Sequence, residues 1–274
     1  MRGAVGGMGT LGVVRRAVVV AGIACLVSAC GTTRQPAGTG LAEPAVSGLG
    51  ASSPGADAVP QAAPEPGGHS LVAVPGESVV AAIRTPVVRI YRRPKPVGAF
   101  QTMANPTEPG IPLVLLVKQA HNGWLEVYVP VRPDGTTGWI KATHAKLLYD
   151  PYSVKVSLGG HRLTVIRRGR VVDRQRIGVG EAATPTPRGV YFITALFRLI
   201  DPTGPYGPYA FGLSGFSNVL RSFGGGPGQL AIHGTNDPGG IGSNVSHGCI
   251  HVLNSEITRL AKELPLGTPV QIES

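Results

Sequence analysis

The chain has 274 residues, with 25 Lys and Arg against 15 Asp and Glu and a formal net charge of +10. The basic excess runs through the chain without clustering, and no RNA- or DNA-binding motif accompanies it, which argues against nucleic acid as a partner. Only 5% of residues are aromatic, whereas 40 glycines and 25 prolines punctuate the chain.

Arg2, Arg15 and Arg16 precede an apolar stretch over residues 17–27, followed by Val27-Ser28-Ala29-Cys30. A basic start, a short apolar core and small residues at the end read as a secretory signal over 1–29. The apolar run is too short for a spanning helix, which needs about 20 residues. The small-small-Cys ending resembles a bacterial lipobox. The resemblance implies cleavage before Cys30 and lipidation of Cys30, so that the chain is anchored to the outer face of the cytoplasmic membrane. An ordinary signal peptide cut near Ala29 is the alternative, and either places the protein outside that membrane. Residues 31–69 hold no aromatic residue, and Gly, Ala and Pro supply 22 of the 39. Such a segment buries too little apolar surface to offset its ordering entropy and reads as a disordered tether over 30–69. At roughly 3.1 Å per extended residue it reaches on the order of 100 Å.

Residues 70–150 form the first expected folded unit. Residues 87–91, 113–118, 123–129 and 137–140 read as short strands separated by turn signals at Pro109-Gly110 and Asp134-Gly135. The pattern Gly123-Trp124-Leu125-Glu126-Val127 followed by Gly138-Trp139-Ile140 resembles a bacterial SH3-like barrel. Modules of that kind often bind cell-wall peptide or glycan. Trp124, Trp139 and Tyr128 then supply either an aromatic groove or the core of a small barrel.

In the second unit, 151–274, residues 154–158, 161–167 and 171–177 read as successive strands with turns at Gly159-Gly160 and Arg168-Gly169. Arg167, Arg168, Arg170, Arg174 and Arg176 read as the solvent face of a hairpin, or as an attraction to anionic envelope polymers. Strands are expected at 190–194 and 268–272. A helix runs from an Asn254 cap to about Leu264, with Ile257, Leu260, Ala261 and Leu264 on one face. The stretch 201–228 is rich in Gly, Pro, Tyr and Phe. It reads as a cleft loop lined by Tyr206, Tyr209 and Phe216, or as a packed Ω-loop.

Cys25 and Cys30 fall in the export signal, which leaves Cys249 as the single cysteine of the folded part. Exported chains normally use cysteine in pairs. A lone thiol inside Ser246-His247-Gly248-Cys249-Ile250-His251, with His233-Gly234-Thr235 upstream, is a candidate nucleophile. The order of these segments, with Thr184-Pro-Thr-Pro and residues 206–214 as supporting matches, resembles the L,D-transpeptidase (YkuD-type) catalytic domain. The expected architecture is mostly β: a small SH3-like β-barrel followed by a YkuD-type β-sandwich with one accessory helix.

The resemblance implies a cysteine-dependent acyltransferase that makes 3→3 cross-links in peptidoglycan from tetrapeptide stem peptides, with carbapenem-type β-lactams as inhibitors and no cofactor. It implies Cys249 as nucleophile, His233 as base and the Gly234 carbonyl as the orienter of that base. Gly248 and Cys249 N–H groups can form the oxyanion hole, with His247 lining the site and Ser246 bonding the loop. If 247–251 is a strand, His247, Cys249 and His251 share one face. His251 stands where the family usually has Arg or Asn, and it, Tyr206 and Tyr209 are the candidate substrate-binding residues. Other readings of the residues remain: four zinc ligands at His233, His247, Cys249 and His251, and His233 as a satisfied core histidine. For the whole chain they are an L,D-carboxypeptidase or a non-catalytic wall-binding protein.

Overall fold

The computed structural model describes the backbone of β1 (Val18–Ala21) and residues 75–274. The cleavage site, Cys30 and the tether lie outside the described residues. Seven strands, β2 (Ser78–Ile83), β3 (Val87–Tyr91), β4 (Ala99–Ala104), β5 (Val114–His121), β6 (Trp124–Tyr128), β7 (Thr137–Lys141) and β8 (Ala145–Asp150), form one sheet. Its order is β4-β3-β7-β6-β5-β2-β8, antiparallel throughout. Val79, Ala81, Ile90, Leu115, Leu125, Val127 and Ile140 fill its core. Both tryptophans are only half-buried, and Trp124 meets Tyr91 edge-on at 5.7 Å. The interior is therefore aliphatic and leaves both indoles at the margin.

The rest of the chain adds β9 (Tyr152–Ser157), β10 (Arg162–Arg167), β11 (Arg170–Arg176), β12 (Val179–Gly180), β13 (Gly189–Leu199), β14 (Tyr209–Phe216), β15 (Gln229–His233), β16 (Asn244–Ser246), β17 (Ile250–His251), α1 (Asn254–Glu263) and β18 (Pro269–Glu273). The main path runs β11-β10-β9-β18-β13-β14-β15-β17, with β1 parallel beside β13. Strand β13 joins the two halves. Gly189 to Phe192 pair with β18, and most of the remainder pairs with β14. Val154, Leu163 and Val270 from one half share a single core with Ile193, Phe211, Ile232 and the helix residues Ile257 and Leu260. The halves thus close on one apolar layer, as in a sandwich.

The turn expected at Gly159-Gly160 joins β9 and β10, with His161 at φ +43° as its left-handed residue. Two expectations change. Asn254 is the first residue of α1, with Leu253 at the cap position, and its side chain makes no cap bond. Residues 201–228 are not one loop, because β14 fills the middle with six consecutive buried residues. Gly215 in it is there for contact: a Cβ at that position would run into the Tyr191 ring.

The two units share buried contacts. Asp150, 2% exposed, accepts Thr268 Oγ1–H at 2.6 Å and the Tyr152 N–H at 2.8 Å. Burial raises its carboxyl to about 6, against the bonds from Thr268 and Tyr152. A group raised on folding stabilises fully below its unfolded value and loses that contribution as pH rises through the folded value. Most of a full swing of about 3 kcal/mol, at 1.36 kcal/mol per unit, falls between pH 4 and 7. Asp150→Asn is expected to abolish it: chemical denaturation of both proteins across that range should show the wild type losing stability relative to the variant as pH rises. A constant difference would refute this.

Candidate active site

Strands β15 and β17 run parallel, with Ile232 opposite Ile250 and His233 opposite His251. By the two-residue period the isoleucines face the core, each 1% exposed, and the two imidazoles share the other face. Their ring centroids are 4.6 Å apart. Reciprocal bonds between Gly178 and His251, both 2.9 Å, hold the short β17 in place.

His233 is 3% exposed, and its Nδ1 lies 2.6 Å from the Gly234 carbonyl oxygen. A carbonyl only accepts, so Nδ1 carries the proton and Nε2 keeps its lone pair. Burial, reinforced by neighbouring His251, pushes this imidazole down to about 3. Burial also lowers His251, partly offset by Asp237. Both rings are neutral at physiological pH. The turn after His233 is clamped by Asn254, whose Oδ1 accepts the Thr235 N–H at 2.8 Å. A Cβ on Gly234 or on Gly207 would collide with that oxygen, which explains glycine at both positions. The asparagine expected to cap α1 instead holds the loop after His233.

Cys249 is a free thiol of intermediate exposure. Burial pushes it up to about 11, opposed by a hydrogen bond from the Ala231 backbone. Ser246 organises the loop around it: Oγ donates to the Cys249 carbonyl at 2.5 Å and accepts the Gly248 N–H at 3.1 Å. The Ser246 carbonyl accepts the Glu181 N–H at 2.9 Å and Thr184 Oγ1–H at 3.3 Å. The Gly248 N–H expected in an oxyanion hole is thus engaged by Ser246. The Cys249 N–H has no partner among the described residues. Residues 247–251 are not one strand. Gly248 sits at φ +114°, where glycine is favoured, and this breaks the alternation before β17 begins. His247 consequently leaves the row, is exposed, and stacks on Phe223 at 5.2 Å and 28°.

Tyr206 lies against His233, ring centroids 4.8 Å apart. Tyr209 instead packs against the core from β14, and Phe216 lies under Arg132 of the first unit at 4.8 Å. Phe223 was not foreseen; its sequence signal is an aromatic directly before Gly224-Gly225-Gly226, which make a tight turn. Among the described residues no three His, Cys, Asp or Glu side chains converge to hold a metal. A cavity of about 480 Å³ at the junction of the units, lined by Glu77, Lys118, Tyr128 and Val190, contains neither Cys249 nor His233.

A family model described as the L,D-transpeptidase catalytic domain (YkuD) matches residues 151–272. The "Putative L,D-transpeptidase YkuD" of Bacillus licheniformis is 40% identical over 122 residues, covering 44% of this chain and 66% of the relative. The "Probable L,D-transpeptidase ErfK/SrfK" of Escherichia coli is 37% identical over 111 residues, 35% of each chain. A solved L,D-transpeptidase from Mycobacterium tuberculosis H37Rv superposes with a TM-score of 0.40 at 15% identity, covering 60% of this chain and 91% of that one.

Proposed function

Since residues 151–272 carry the YkuD-type L,D-transpeptidase catalytic domain, we propose that this protein cross-links peptidoglycan through an acyl-enzyme on Cys249. The observation that carries this reading is that β17, which directly follows the free thiol of Cys249, pairs with the strand ending in His233, whose Nδ1 proton is held by the Gly234 carbonyl, while the Cys249 N–H is unengaged among the described residues.

Burial disfavours charge on both groups, so the resting pair is thiol and imidazole rather than thiolate and imidazolium. Proton transfer therefore accompanies attack. The Cys249 sulfur adds to the carbonyl of the L-centre of the stem's diamino acid while its proton passes to His233 Nε2. The oxyanion takes the Cys249 N–H. The carbon–nitrogen bond to terminal D-alanine breaks, its amine leaving with the proton from His233. The side-chain amine of a neighbouring stem then adds to the thioester, giving its proton to His233. The thiolate leaves, is reprotonated from His233, and a 3→3 cross-link remains. Carbapenem-type β-lactams acylate the same sulfur by ring opening. On the sequence features, the chain works in the cell wall from a lipid anchor at Cys30, through the tether at 30–69, with 70–150 as an SH3-like module.

The full chain and its Cys249→Ala variant, each incubated with disaccharide-tetrapeptide, are to be followed by mass spectrometry. A dimer formed with loss of one D-alanine, absent in the variant, is expected. D-Alanine loss without dimer would make the protein a carboxypeptidase; no change in either sample would remove the catalytic reading.

A further inference from the structure

Two residues of the turn between β6 and β7, in the first unit, reach the segment of the second unit that carries Phe223, the stacking partner of His247. Arg132 donates to three backbone carbonyls of one short stretch. Nη1 meets Ser217 O at 2.6 Å, and Nη2 meets Leu220 O at 3.2 Å and Pro227 O at 2.8 Å. Its guanidinium also covers the Phe216 ring at 4.8 Å. Asp134 accepts the Phe216 N–H at 3.0 and 3.2 Å and the Tyr191 hydroxyl at 3.3 Å.

The segment so gripped is otherwise held mostly by itself. Ser217 N–H donates to Gly228 O at 2.8 Å, Ser217 Oγ accepts the Leu220 N–H at 3.0 Å, and Phe223 and Gly226 exchange bonds at 3.0 Å. Residues 221–225 are exposed, so no apolar packing fixes the tip. Phe223, 42% exposed, has the His247 ring as its stacking partner, two residues from Cys249. A planar guanidinium with a fixed fork of donors can collect several carbonyls of one loop in one geometry, which a point charge does not.

We propose that Arg132 and Asp134 are positioning residues for the reaction. The first unit clamps segment 216–228, and through it the Phe223–His247 wall beside Cys249, so that the stem peptide meets a preformed cleft. The clamp rests on the proposed reaction for its purpose but not for its detection. It makes the first unit a working part of the cleft, whatever else that unit binds.

The test uses the full chain with Arg132→Met, Phe223→Ala and the double variant. In Arg132→Met, the amides of Ser217, Leu220, Phe223 and Gly226 are expected to exchange hydrogen about tenfold faster or more, with β9 to β11 unchanged. KM for the tetrapeptide stem should rise about tenfold or more, with kcat and iodoacetamide labelling of Cys249 within about threefold. Phe223→Ala should reproduce the KM effect, and the double variant should be no worse than Phe223→Ala alone. Unchanged exchange in 217–228, or additive KM effects, would overturn the clamp. If β9 to β11 lose protection, Arg132→Lys, which keeps the charge without the fork, replaces Arg132→Met with the same criteria. A wild type without turnover defeats the proposed reaction, while the exchange measurement still decides the clamp.

Discussion

Replacing His233 with alanine is expected to slow acylation of Cys249 by about 10²- to 10⁴-fold. The thiol is held at about 11, so at neutral pH it is almost wholly protonated and needs an acceptor in the act of attack. In the proposed reaction the Nε2 lone pair of His233 is that acceptor, because Nδ1 is committed to Gly234 O. Neutral His251 lies 4.6 Å from the ring but belongs to the other strand, and its backbone is fixed by Gly178. The pH behaviour follows from the same burial. With His233 held down to about 3, its basic form persists as pH falls through the range where an ordinary histidine, near 6.5, is protonated. Wild-type acylation is therefore expected to show no loss near pH 6.5 from this group. Intact-mass kinetics with a carbapenem measures both. A variant within threefold of wild type would dismiss His233 as the base, and a break near pH 6.5 would dismiss its buried neutral state.

The second large effect is expected from Gly180→Ala, a change of one methyl group in β12. Its Cβ would stand 2.5 Å from Thr184 O, 2.5 Å from Thr186 N and 2.8 Å from Pro185 C. All three are backbone atoms, so no side chain can swing away. The Thr184-Pro-Thr-Pro loop must move, and with it the Thr186 Oγ1 that accepts the Gly180 N–H at 2.8 Å. That loop anchors the Ser246 carbonyl, and Ser246 Oγ holds the carbonyl of Cys249. A destabilisation of about 3 kcal/mol is expected, or roughly 10 °C in Tm for a domain of this size. Misplacing the nucleophile should cost acylation about 10²-fold beyond that. Gly159→Ala is the control: its Cβ meets nothing nearer than 3.8 Å, and it should stay within about 0.5 kcal/mol of wild type. Equal melting temperatures for the two variants would remove the argument.

Much of the site was legible because its chemistry is local in the chain. Ser246 to His251 carry the thiol, the glycine at positive φ and the serine that organises them within six residues. His233 and Gly234 are neighbours, so the imidazole and the carbonyl that accepts its hydrogen bond could be read together. The hairpin of β10 and β11 was legible for a similar reason, since alternation and an Arg168-Gly169 turn are short-range signals. Glycine misled where its reason was a distant contact. Gly215 reads as a loop residue until Tyr191 is seen to fill its side-chain space. Asn254 reads as a helix cap because it precedes an apolar period, yet its oxygen is taken by Thr235, nineteen residues away.

The sequence by itself determined the mostly-β class and the resemblance of the second unit to the L,D-transpeptidase catalytic domain, with a thiol and a histidine in its motifs, because each depends on residue type and short spacing. Only the tertiary structure decided the direction of the titration shifts, since burial pushes Cys249 up and burial with neighbouring His251 pushes His233 down. It also decided which aromatics flank the site. Tyr206 and Phe223 are brought to His233 and His247 by chain closure, while Tyr209 and Phe216 are drawn off by the core and by Arg132. The hold of the first unit on segment 216–228 joins residues 82 to 95 positions apart, and no pattern in either stretch announces the other.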